Sequence, residues 1–129
     1  MNGNQDDWGS VDSELRTRTE AALRNEESVV AWFESDLNAA RSFAPVLVVL
    51  TNQRLLAFDS EGANEPGGAP RISSWPQSDI AAIRSHDHGG MGTLELFSRS
   101  SRLAVWNYTV ARARAANTFA EKVHARLTR

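Results

Sequence analysis

Val46-Leu47-Val48-Val49-Leu50-Thr51-Asn52-Gln53-Arg54-Leu55-Leu56-Ala57-Phe58-Asp59 sets two apolar segments on either side of a polar Thr-Asn-Gln-Arg corner. Short runs rich in Val, Leu and Phe, broken by so brief a polar interruption, read as two antiparallel strands joined by a tight turn. Val46 to Leu50 has no polar alternation at all, so this strand needs cover on both faces. The stretch therefore decides a β-fold and carries no chemistry of its own.

Working outward, residues 1–10 read as a disordered leader, and Asp12 or Ser13 is placed to cap a helix running through Leu15, Ala22 and Leu23 to about Asn25. Glu26 to Leu37 reads as a first strand, because its centre, Val29-Val30-Ala31-Trp32-Phe33, is β-branched and aromatic. After the central hairpin, residues 60–70 are dense in glycine and proline and read as an exposed loop. Further strands are expected at Arg71 to Trp75, stopped by Pro76, and at Ile80 to Ser85. The Asp87-His88-Gly89-Gly90 stretch then reads as a turn. Thr93 to Phe97 alternates with Leu94 and Leu96 inward, Ser98 to Ser101 turns the chain, and Arg102 to Trp106 returns it. Residues 110–127 place Ala116, Phe119, Ala120, Val123 and Leu127 on one helical face. The expected fold is mainly β with α: a seven-stranded, strongly bent antiparallel sandwich or partial barrel in one domain, residues 11–129, with an N-terminal helix and a C-terminal capping helix.

The chain has 129 residues, 41% hydrophobic and 23% charged, within the range of one ordinary globular domain. No apolar run approaches the roughly 20 residues of a membrane helix, and the acidic start, Asp6 and Asp7 included, is unlike a secretion signal, so a cytoplasmic location is expected, extending to the cytoplasmic face of the membrane. The absence of cysteine excludes disulfides, thiolate metal sites and a cysteine nucleophile. A net charge of −2 argues against nucleic acid as a partner. Charge is uneven: nine acids against three arginines give residues 1–37 a net −6, while five bases against Glu121 give residues 110–129 a net +4. Two solvated charged faces account for this, and attraction between the ends is the sharper alternative.

Seven strands closed by a terminal helix, with Leu50-Thr51-Asn52-Gln53-Arg54-Leu55-Leu56 at the central hairpin, resemble the bacterial pleckstrin-homology-like and GRAM-type domains over roughly Ala22 to Leu127. A narrower resemblance joins Trp32 and Asp36-Leu37, Phe43-Ala44-Pro45, the hairpin corner, and Trp75-Pro76 with Asp79-Ile80 to the region preceding the membrane domain of some bacterial ABC-type exporters. The resemblance implies a non-enzymatic interaction or regulatory domain, an accessory part of a larger transport protein. Its partner is then a protein, either the remainder of its own chain or a second copy, with any ATP hydrolysis located elsewhere. A peripheral module for lipid or anionic headgroups, with weak contact to a membrane surface, is the alternative that the same resemblance implies.

The candidate contacts follow from these two readings. Arg41, Arg99 and Arg102 are the basic residues of the loops that would meet an anionic headgroup, although Asp36, Asp59, Glu61 and Glu65 share those loops. Val30, Trp32 and Val49 mark the face of the first sheet that needs cover, either from the N-terminal helix or from another subunit. His86 and His88, two apart, share a face of an extended chain as part of a metal site would, but read more simply as solvated turn residues, and His124 as a surface residue. Trp32, Trp75 and Trp106 read as packing residues, with Trp8 unexplained. No GxSxG, P-loop or dinucleotide fingerprint is present, so no catalytic residue, metal or cofactor is expected.

Overall fold

A computed structural model describes residues 11, 13–36, 46–59 and 71–127. Helix α1 (Ser13–Ala22) leads into a four-stranded antiparallel sheet of β1 (Val29–Ser35), β2 (Val46–Thr51), β3 (Arg54–Asp59) and β4 (Arg71–Pro76). A 3₁₀ turn at Gln77–Asp79 carries the chain to a three-stranded sheet of β5 (Ala82–His88), β6 (Met91–Phe97) and β7 (Arg102–Thr109). A second 3₁₀ turn, Val110–Arg112, opens α2 (Ala113–Leu127). Among the described residues, seven strands in two sheets and two helices agree with the sequence reading, and the sheets do not close into a barrel. The expected leader, Asp12, the 60–70 loop, Arg41 and Trp8 lie outside the described residues.

The unbroken apolar run of the hairpin is explained by two cores. Val46, Val48 and Leu50 of β2 and Leu55 and Ala57 of β3 face the sandwich interior with Leu94, Leu96 and Phe119. Leu47, Val49, Leu56 and Phe58 face the opposite way, beneath Val11 and Leu15. Burying each such side chain contributes about 1.5–3 kcal/mol, which is why α1 is retained on this face although its own sequence is barely amphipathic.

Two local features shift the strand boundaries. Glu26 has φ 64°, and Glu27 N–H donates to Arg24 C=O at 3.1 Å, so a turn delays β1 to Val29. A bulge between Val29 and Ala31 then puts Val29 on the α1 side with Trp32, not with Ala31 and Phe33 as strict alternation implies. At the other hairpin, Gly89 and Gly90 both take positive φ, 58° and 83°, and close a two-residue turn between His88 and Met91. That turn is shorter than expected, so β5 runs on to His88 and both histidines lie on a strand.

Helix α2 plugs the open end of the sandwich with Ala116, Phe119, Ala120 and Val123, the face read from the sequence. The Phe33 ring meets Tyr108 edge-on at 5.7 Å and Phe119 at 6.2 Å, joining both sheets to the helix. Trp75 and Trp106 pack edge-to-face at 6.0 Å across the other corner, where one belongs to each sheet. Among the described residues no helix is long and apolar enough to cross a membrane.

Candidate functional site

The residues that looked most like a motif are consumed by the fold. The Arg54 guanidinium grips the Glu27 carboxylate in two-point fashion, with Nε donating to Oε2 at 2.9 Å and Nη2 to Oε1 at 3.0 Å. Nη2 also donates to the Ala22 carbonyl at 2.9 Å, at the last residue of α1. Thr51 Oγ1 donates to Glu27 Oε2 at 2.6 Å and accepts the Arg54 and Gln53 amides at 3.0 and 3.1 Å. Asn52 accepts from Ser28 N–H and donates to the Glu26 carbonyl, each at 2.9 Å. The Gln77 side chain donates to Thr51 C=O at 2.8 Å. The corner therefore ties the central hairpin to the α1–β1 connection and to the exit of β4.

The Glu27 side chain is fully buried and that of Arg54 is 11% exposed, so each needs the other to remain charged inside the protein. The Arg54 hydrogen bonds hold the Glu27 carboxyl down at about 2 against burial, which opposes them, with help from Thr51 and the Arg24 amide.

Two further joints serve the second sheet. Asp36 accepts Thr109 N–H at 2.9 Å and the Thr109 hydroxyl, while Arg112 Nε donates to the Glu34 carbonyl at 3.0 Å and its guanidinium lies 5.7 Å over the Phe33 ring. These fasten the end of β1 to the start of the α2 segment. Tyr108, the only tyrosine, is fully buried and donates to Asp87 Oδ1 at 3.1 Å. Burial first, then the Asp87 carboxylate, pushes its hydroxyl up to about 12.

Of the three arginines of the headgroup reading, Arg99 and Arg102 lie among the described residues and Arg41 lies outside them. The strand ends flanking residue 41, Ser35 and Val46, pair at one end of the first sheet, where Asp59 also sits. Arg99 and Arg102 lie at the opposite end, beside the 3₁₀ turn after β4. Arg102 is engaged, donating to Glu95 Oε2 at 2.9 Å. The Ser98–Ser101 turn closes on itself, with Ser98 Oγ accepting the amides of Ser100 and Ser101 at 3.3 and 3.1 Å, which removes the N–H groups an anion would use. What remains at Arg99 is an open groove with Trp75, Asp79, Ile80, Leu103 and Leu127, where Asp79 offsets the single positive charge.

The proposed interaction face divides differently from expectation. Val49 is fully buried beneath α1, Trp32 is half-buried against the same cluster, and the bulge leaves Val30 separate at 38% exposure. The N-terminal helix covers Val49 and part of Trp32 on this face.

The edge of β4 is different. No strand pairs with its outer side among the described residues. Gln77 N–H donates to Gln53 C=O at 3.2 Å, and the ladder above is continuous, so Trp75 and Ser73 are the next residues bonded to β3. The backbone N–H and C=O groups of Ile72 and Ser74 consequently face outward. Ile72, Ser73 and Ser74 are exposed and uncharged, and Pro76, at the end, gives up an N–H that faces the free edge.

Sequence reasoning missed Glu27 as the partner of Arg54. The signal lies in the hairpin itself: an arginine between two buried strands requires a carboxylate close by, and Glu27 directly precedes the first strand. No protein-family model matches this chain, and no curated protein matches it.

Proposed function

We propose that the chain is a pleckstrin-homology-like, non-enzymatic interaction domain that associates through the free edge of β4, as an accessory part of a larger membrane-transport protein. The observation that carries this reading is the uncharged Ile72-Ser73-Ser74 edge with its outward backbone groups. An unpaired edge without lysine or an inward charge accepts a further strand readily. The partner is a protein. A second copy satisfies the geometry because an antiparallel strand pairs with itself about a two-fold axis. The non-enzymatic part rests on the employment of Glu27, Asp36 and Asp87 in structural hydrogen bonds. The exporter context rests on the sequence resemblance, whose described residues Asp36, Thr51, Asn52, Arg54 and Trp75 sit at joints of the fold.

Ser74→Pro tests the edge, because it deletes an outward N–H and leaves the backbone bonds to β3 in place; Ser74→Ala, which removes only the hydroxyl that accepts from Arg54 Nη1 at 3.3 Å, is the control. Sedimentation over a concentration series is expected to show a dimer of the parent chain that Ser74→Pro abolishes, with an unchanged circular dichroism spectrum. A parent chain monomeric at every concentration, or a dimer indifferent to Ser74→Pro, contradicts the reading. Flotation with anionic vesicles that is lost in Arg99→Ala would favour the headgroup alternative.

A further inference from the structure

We propose that His86 and His88 form a chelating site for a divalent transition-metal ion, Zn2+ or Ni2+, on the outer face of the second sheet. The tight Gly89-Gly90 turn extends β5 through both residues, so their side chains emerge on the same face of a paired strand. Their ring centroids are 5.4 Å apart. Two imidazoles on one tetrahedral ion, with metal–nitrogen distances of about 2.0–2.1 Å, place their centroids about 5 Å apart, so a small rotamer adjustment suffices.

The surroundings of His86 match those of a ligating imidazole. Its Nε2 lies 2.8 Å from Thr93 Oγ1 and 3.3 Å from Glu95 Oε1, while Arg102 holds the other Glu95 oxygen at 2.9 Å. A proton on Nε2, facing these oxygens, leaves the lone pair on Nδ1 for a metal, and an oriented carboxylate behind the ring is the usual outer-shell support. The His86 side chain is 59% exposed and so open to an ion from solvent. Asp87 lies on the opposite face of the strand, where it accepts from Tyr108, and is not a ligand. Among the described residues no group of three or more His, Cys, Asp or Glu side chains surrounds a common point, so two nitrogens hold the ion and water or a second molecule completes its shell. A nitrogen pair selects Zn2+ and Ni2+ over Mg2+ and Ca2+.

The untagged full chain, titrated with ZnCl2 and separately with NiCl2 by calorimetry at neutral pH, is the test. Saturable uptake is expected, lost in His86→Asn and in His88→Asn, weakened about tenfold in Glu95→Gln, and absent with MgCl2. Circular dichroism checks that each variant is folded. No saturable uptake by the parent chain, or uptake that persists in the folded double variant His86→Asn/His88→Asn, overturns the proposal.

Discussion

Arg54→Ala is expected to lower the free energy of unfolding by about 3–5 kcal/mol, read from the shift of the urea transition. The cost arises less from lost attraction than from what remains: a Glu27 carboxylate with no exposed surface and no counter-charge. The Ala22 carbonyl loses the Nη2 donor at the same time. A domain of this size has roughly 5–15 kcal/mol in total, so the variant should be marginal. The same pair sets an acid limit. The Glu27 carboxyl lies at about 2 in the folded chain against an ordinary 4.5, so its stabilisation is complete above pH about 4.5 and is lost as the pH falls from there toward 2. The difference corresponds to on the order of 3 kcal/mol, which Arg54→Ala removes, so the variant's stability should depend far less on pH in that window.

Gly92→Ala is expected to cost about 3 kcal/mol, although it adds only a methyl group. A Cβ at this position would lie 2.2 Å from Tyr108 Cε1 and 2.6 Å from its hydroxyl oxygen. The ring cannot withdraw, because it is fully buried, packed edge-on against Phe33 and bonded to Asp87. Gly92 stands directly opposite Tyr108 in the β6–β7 register, so the ring folds over the glycine where any side chain would block it. Calorimetric melting of Gly92→Ala and Gly92→Ala/Tyr108→Leu checks the cause: the second substitution should recover part of the loss relative to Tyr108→Leu alone. Equal penalties in both backgrounds would show that the ring contact is not responsible.

The fold was legible wherever apolar periodicity is local. The β2–β3 hairpin, the alternation of Leu94 and Leu96, and the buried face of α2 all follow from spacing alone. Boundaries slipped where one residue took an unusual backbone angle: Glu26 delayed β1, and the Gly89-Gly90 turn lengthened β5. The bulge at Val29 and Ala31 has no sequence signature, yet it separated Val30 from Trp32 and dissolved the expected face. The outward backbone groups of β4 became visible only once pairing had fixed which N–H groups face β3.

A double-mutant cycle on Glu27→Gln and Arg54→Met tests most directly the claim that the Thr-Asn-Gln-Arg corner is a structural joint. Urea unfolding of the four proteins should give a coupling of about 2 kcal/mol or more between the two positions, with the double variant more stable than the sum of the single losses implies. Losses that add to within about 0.5 kcal/mol would mean that the two side chains do not act together, and would contradict the account.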